Sequence, residues 1–437
     1  MTGIDFAKFR NELERIDTLE YVGKIRKIVG LGVESTGPMA DIGTVCRIYK
    51  KRGNEYIDAE VVGFTEDRIL LMPYGDLKEI GIGCKVVSTR RHLEIPVYEG
   101  LLGRVLDGLA NPIDFSGHQS ADEYKNADND PPHPLTRSII DKPIKLGIRA
   151  MDGLLTCGEG QRLGIFSGSG VGKSTLLGMI ARNSGADVNV IALIGERGRE
   201  VKEFLEGDLR QEGLAKSVVV VATSDQPALV RVKAAQVATS IAEYFRDRGR
   251  KVLFMMDSLT RFAMAQREVG LAIGELPVAR GYTPSVYVML PRLLERTGCS
   301  ETSSITAIYT VLVEGDDMNE PISDTVRGIL DGHVILSRKL AAAGHYPAID
   351  VLNSISRVMV EVVSREHNAA AIQMRNLIAS FEEARDLINI GAYKRGSNPK
   401  VDAAIDRIEA INDFLTQGMD ETSDFDETVA RLIELVR

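Results

Sequence analysis

The segment FSGSGVGKST, residues 166–175, sits directly after the apolar run RLGIF and directly before LLGMIAR. An apolar strand that breaks into a glycine-rich turn and resumes as a helix leaves few folds open. At such a junction Gly168, Gly170 and Gly172 let the backbone curl until several N–H groups face one point, the arrangement that cradles phosphate oxygens. Lys173 is placed to reach the β- and γ-phosphates, and the Ser174 hydroxyl to ligate Mg²⁺. The N-terminal dipole of the helix adds positive potential there. Ser169, Val171 and Thr175 complete the cradle. The loop departs from the pattern GxxxxGK[ST] at its first position, where Ser167 stands in place of Gly. A small residue fits there with less backbone freedom.

A phosphate loop that works on Mg²⁺ needs an acidic partner. KVLFMMD ends an apolar strand in Asp257, which is suited to hold the metal through its water shell. Hydrolysis also needs a group that orients or activates water. IALIGERGRE ends another apolar run and carries Glu196, Arg197 and Glu200. The carboxyl ends of parallel strands line the crevice of such a sheet. Read alone, GERGRE is either that group or a solvated charge cluster.

Composition narrows the partners. The 437 residues carry 53 Lys and Arg against 62 Asp and Glu, a formal net charge of −9. A surface devoted to gripping nucleic acid would be basic. No run approaches the roughly 18 apolar residues of a membrane span, and the start MTGIDFAKFRNELERID has no apolar signal core. Cys46, Cys84, Cys157 and Cys299 lie far apart, without CxxC or a neighbouring His. They read as reduced thiols of a cytoplasmic protein, and any metal is expected to arrive with a ligand.

Along the chain, Phe6, Phe9, Leu13 and Ile16 mark one apolar face of a short N-terminal helix. From Tyr21 to about Ile95 short alternating runs such as VGKIRKIVG and AEVVGF predict a small closed β domain. GLLGRVLDGLANPID, residues 100–114, reads as a short helix followed by turns, and the polar, Pro-bearing stretch 115–137 as an ordered linker. Between about 140 and 360, apolar strands without alternation are separated by helices, which predicts a mainly parallel sheet covered on both faces. Helices are expected over 361–390 and 400–417, with a last one opening near Asp424. The expected boundaries are 1–20, 21–97, 98–139, 140–360 and 361–437.

Taken together, FSGSGVGKST, IGERGREVKEF, MMDSLTRFAMAQREVGLAIGELP, ARGYTPSVYVMLPRLLERTG and PAIDVLNSISRVM resemble the flagellar or type III secretion export ATPases. That family is similar to the catalytic subunits of rotary ATP synthases. The resemblance implies an N-terminal β-barrel, a RecA-like α/β ATPase core and a C-terminal helical domain. It also implies a homohexameric ring that hydrolyses Mg-ATP at its subunit interfaces. Glu196 would then be the catalytic carboxylate, with Arg197 and Glu200 as its neighbours. Arg357 would be the arginine supplied to the adjacent subunit, where a guanidinium stabilises charge developing on the γ-phosphate. Tyr346 would stack on adenine. Arg261 either lines the same site or pairs with a nearby carboxylate.

The implied partners are a stator protein at the N-terminal helix, a central coiled-coil stalk, the export gate, chaperones and secreted substrates. The implied place is the cytoplasm, at the cytoplasmic face of the inner membrane, which leaves peripheral membrane association open. Flagellar export is the first reading, from GLLGRVLDGLANPID, and an injection apparatus the alternative. A nucleic-acid translocase would carry a basic, aromatic path; the chain has no Trp and no expected aromatic–basic cluster in its β domain. A non-catalytic ring subunit would lack the carboxylate at 196. A rotary-synthase catalytic subunit is set behind the export reading by the stretch DSLTRFAMAQREVGLAIGE.

Overall fold

The computed structural model describes residues 21–437 except 66, 115–120, 314 and 316. The helix expected over 1–20 lies outside the described residues, as does part of the connecting stretch.

Six strands, β1 (Val22–Val29), β2 (Gly32–Ser35), β3 (Val45–Tyr49), β4 (Tyr56–Thr65), β5 (Arg68–Pro73) and β6 (Lys85–Ser88), close into a barrel in the order β1-β2-β5-β4-β3-β6. Their inward residues, among them Ile25, Val33, Ile48, Val61, Leu71 and Val86, form its core. Alternation along the strands therefore does here what a closed antiparallel sheet requires. Closure also gathers residues that the sequence keeps apart. Tyr49 and Tyr56 are register partners across β3 and β4, with ring centroids 5.6 Å apart. The Arg47 guanidinium lies 4.6 Å from the Tyr56 ring centre and the Lys85 ammonium 5.5 Å from that of Tyr49. This corrects the expectation that the β domain has no aromatic–basic cluster. The cluster is not a continuous cationic path, because Asp58 lies 3.9 Å from Arg47 and Glu55 2.6 Å from Lys50.

The second compact unit begins at Ile95. Its sheet runs in the order β14-β13-β8-β12-β11-β9-β10-β7. These are β7 (Val105–Asp107), β8 (Arg162–Ser167), β9 (Val188–Ile194), β10 (Ser217–Ala222), β11 (Val252–Asp257), β12 (Ser304–Leu312), β13 (Gly332–Leu336) and β14 (Ile349–Ser356). Neighbours along this order pair in parallel except β14, an antiparallel edge, and the short strand Gly298–Cys299 adds an antiparallel pair on β12. Every residue of β9, β10 and β11 is buried, as a sheet covered on both faces demands.

The expected helix within 100–114 is replaced by β7, which pairs with β10. The reason is the parallel edge that Val219–Val221 of β10 offers to Val105–Asp107. Asp107 Oδ1 then accepts the backbone N–H groups of Leu109 and Asn111, each at 2.8 Å, and turns the chain. The described part of the linker is ordered, as expected. Arg296, 1% exposed, donates to Glu243 at 2.8 Å and to the Ala127 carbonyl at 2.9 Å.

Helices α1 (Lys173–Asn183), α2 (Ala228–Asp247), α3 (Leu259–Ala272) and α4 (Pro284–Glu295) belong to this core. The chain ends in α5 (Arg365–Asn389), α6 (Pro399–Leu415) and α7 (Phe425–Val436). Asp424 caps α7, its side chain accepting from Asp426 N–H at 3.0 Å. Met374, Phe414 and Leu432 share one apolar core with Leu154, Leu177 and Ile180, so the C-terminal helices are packed on the layer that carries the phosphate loop.

Candidate active site

Because β8, β9 and β11 are parallel, their carboxyl ends open on the same edge of the sheet. Leu193 is the register partner of Asp257, which places Glu196 just beyond the metal-site carboxylate. The loop after β8 is a buried strand end that emerges into solvent: Gly168 is buried, whereas Ser169, Gly170 and Ser174 are exposed. Gly170 and Gly172 hold φ values of +78° and +87°, in the left-handed region where a side chain is strained. Gly172 is the residue before α1, so Lys173 opens the helix and the free N–H groups of its first turn face the loop. Ser167 needs no such freedom. It is the last residue of β8, has no positive φ, and its carbonyl accepts from Val313 N–H at 2.9 Å.

Three chemical groups meet here. The Lys173 ammonium contacts Asp257 Oδ1 and lies 4.0 Å from Glu196 Oε1. Asp257 is 4% exposed, and its Oδ1 also accepts from the Thr310 hydroxyl at 2.8 Å. Thr310 was not singled out from the sequence. It lies on β12, the strand beside β11, in a run that also carries the hydroxyls of Ser304, Thr306 and Tyr309, so no local signal marks it.

Burial, with the nearby Asp257 charge, pushes the Glu196 carboxyl up to about 7, while Lys173 and Arg261 pull the other way. Glu200 moves down, chiefly because it shares a hydrogen bond with Glu196. Glu196 thus carries the proton of the pair near neutrality and is poised where a general base works best.

Arg197 is directed into solvent and pairs with Glu200 at 3.5 Å. Arg261 is close-packed instead. A Cβ added at Gly195 would fall 3.0 Å from the Arg261 Cβ, and the Arg261 Nε is buried without a hydrogen-bond partner. The Arg261 charge bears on the Glu196 carboxyl, which both of its expected readings accommodate. Tyr346 lies at the loop: a Cβ at Gly172 would stand 3.4 Å from two of its ring carbons, and the residue is 43% exposed, leaving ring surface open. Like the solvent-directed Arg197 side chain, Arg357 does not enter the cluster. It follows β14, is exposed, and donates to the Arg327 carbonyl at 3.4 Å.

The residues expected to hold the metal, the exposed Ser174 hydroxyl and the Asp257 carboxylate, are both oxygen donors, with the Lys173 ammonium now resting on the carboxylate. That hard, open set fits Mg²⁺ completed by water and phosphate.

The fold and the site together define a P-loop ATPase. Residues 147–356 match the ATP synthase alpha/beta family, nucleotide-binding domain, and residues 363–434 the T3SS EscN ATPase C-terminal domain. The flagellum-specific ATP synthase of Bacillus subtilis is 54% identical over 97% of each chain. The type 3 secretion system ATPase of Xanthomonas euvesicatoria is 52% identical, covering 94% of this chain and 93% of that one. The assembled ATPase EscN of the enteropathogenic E. coli type III secretion system superposes with a TM-score of 0.90 at 48% identity, over 95% of this chain and 100% of that chain. The chain belongs to the family of flagellar and type III secretion ATPases.

Proposed function

We propose that this ATPase hydrolyses Mg-ATP in a homohexameric ring and couples turnover to protein export. The observation that carries this reading is the meeting of Lys173, Asp257 and Glu196 at one sheet edge while Arg357 stays away from it. Lys173 and the loop N–H groups bind the β- and γ-phosphates, which draws the ammonium off Asp257. Ser174 and Asp257 would hold Mg²⁺, which when bound would supply charge neutralisation on the phosphates. Glu196, ionised by proton transfer to solvent, accepts a hydrogen bond from the attacking water and turns its lone pair toward phosphorus. Glu200 holds that carboxylate in place, and Tyr346 stacks on the base. Arg357 completes a neighbour's site, where its guanidinium meets the charge that grows on the γ-phosphate.

Relatives of the flagellar and the injection kind match at 54% and 52% identity, so protein export is common to both and flagellar export is our first reading. EscN has been solved with its central stalk EscO, and a stalk through the ring is the partner we extend to this chain. A stator at the N-terminus, the export gate, chaperones and secreted substrates complete the proposed assembly. No helix among the described residues is long and apolar enough to cross a membrane. We place the ring in the cytoplasm, held peripherally at the inner membrane by these partners.

Two substitutions test the roles. Lys173→Ala removes a phosphate contact and should weaken nucleotide binding as well as turnover. Glu196→Gln keeps shape and binding but should lower kcat by about 10² to 10⁴-fold. Near wild-type hydrolysis by Glu196→Gln would remove the carboxylate from the mechanism.

A further inference from the structure

Gln417 follows α6 by two residues and is 4% exposed. Each of its hydrogen-bonding groups that the fold buries against the nucleotide-binding layer has a partner there. The backbone N–H donates to the Tyr346 carbonyl at 2.8 Å. The side-chain Oε1 accepts from Arg149 N–H at 2.9 Å, and Nε2 donates to the carbonyls of Gly147 at 2.9 Å and Glu421 at 3.0 Å. The side-chain amide thus ties the strap 417–421 to the turn 147–149, and by fixing the strap it also fixes the Gln417 backbone N–H that holds the Tyr346 carbonyl.

The two ends it joins both touch α1. At the N-terminal end the Tyr346 ring faces Gly172. At the other end Gly147, with φ +76°, comes so close that a Cβ there would fall 2.4 Å from that of Asn183, the last residue of α1. The strap has its own anchor as well. Arg149 Nε donates to the Phe414 carbonyl at 2.8 Å, and its guanidinium pairs with Glu421. Losing the Gln417 side chain thus leaves the strap attached but frees it to shift against the turn.

We propose that Gln417 is a positioning residue for base recognition. It sets where the Tyr346 ring stands relative to the phosphate loop, so that the base and the phosphates of one nucleotide are bound together. The inference rests on the reading of Tyr346 as the base-stacking residue. Gln417 itself touches neither base nor phosphate, and its effect passes through the Tyr346 backbone.

The test uses full-length protein and calorimetric binding of two probes with Mg²⁺, ATP and inorganic tripolyphosphate. Gln417→Ala and Gln417→Glu are each made in the wild-type and Tyr346→Ala backgrounds. Gln417→Glu keeps size and the Oε1 acceptor while removing the Nε2 donors, and carries the test where the alanine variant folds poorly. The expected result is an ATP Kd raised about tenfold, the scale of one or two buried hydrogen bonds, with the tripolyphosphate Kd unchanged. In the Tyr346→Ala background the Gln417 substitutions should add nothing. Equal losses for both probes, or a full additional loss without the tyrosine ring, would overturn the inference and leave Gln417 a packing residue. If Tyr346→Ala leaves ATP affinity unchanged, the base reading itself falls. If it weakens ATP while both Gln417 variants bind normally, only the positioning role falls.

Discussion

Thr310→Val removes a buried hydroxyl, with its 2.8 Å hydrogen bond to Asp257 and a longer 3.4 Å one to the Met256 carbonyl, without changing the shape of the side chain, and it should separate metal binding from nucleotide binding. Thr310 is 0% exposed and donates from Oγ1 to Asp257 Oδ1 at 2.8 Å. The other partner of that oxygen is Lys173. Once phosphates recruit the lysine, the Thr310 hydroxyl is the donor left on that oxygen, so its loss leaves Asp257 free to turn. A hydrogen bond to a charged group is worth about 1.5–3 kcal/mol, and 1.4 kcal/mol is about tenfold in an equilibrium constant. Mn²⁺ affinity in the presence of ADP, read by electron paramagnetic resonance, should therefore fall about ten- to hundredfold. ADP affinity without metal should hold, because the loop N–H groups and Lys173 are untouched. Thr310→Ser, which restores the donor, should recover most of the loss. Mn²⁺ affinity within twofold of wild type in the valine variant would show that something other than Thr310 aims Asp257.

Two further outcomes follow from the same geometry. The Glu196 carboxyl is held up to about 7 and must be ionised to accept a proton, so kcat/KM should fall about tenfold per pH unit below that value and level off above it; a flat profile between pH 5.5 and 8.5 would refute the assignment. Arg357 is remote from the phosphate loop of its own chain in hydrogen bonding and exposure, so mixing Arg357→Ala with Lys173→Ala subunits should restore part of the activity each lacks. Rescue absent at every mixing ratio would remove support for a finger acting across the interface.

What was legible in the sequence is what chemistry writes in consecutive residues. The phosphate loop needs strand, glycines, lysine, hydroxyl and helix in immediate succession, and Asp257 needs only an apolar strand before it, so both could be read with no knowledge of tertiary contacts. Glu196 was legible as a carboxylate at a strand end, but its raised proton affinity was not, since it depends on Asp257 arriving from another strand and on burial. Thr310 and Gln417 were missed for a related reason. Thr310 acts through its bond to Asp257 and Gln417 through bonds to Tyr346, Gly147 and Arg149, all far along the chain, and neither sits in a local pattern that distinguishes it from any other buried polar residue. The short strand β7 was misread because periodicity over GLLGRVLDG cannot register that β10 offers a free parallel edge. The aromatic–basic cluster of the barrel escaped for the same cause, since Arg47, Tyr56 and Lys85 become neighbours only when β3 pairs with both β4 and β6. Local motifs thus identify the reacting groups, while the residues that aim them emerge from strand order. The Ser167 position shows the converse. The departure from the glycine pattern, where a small residue was expected to fit, falls in a residue that is still extended strand, and the left-handed turns come later, at Gly170 and Gly172.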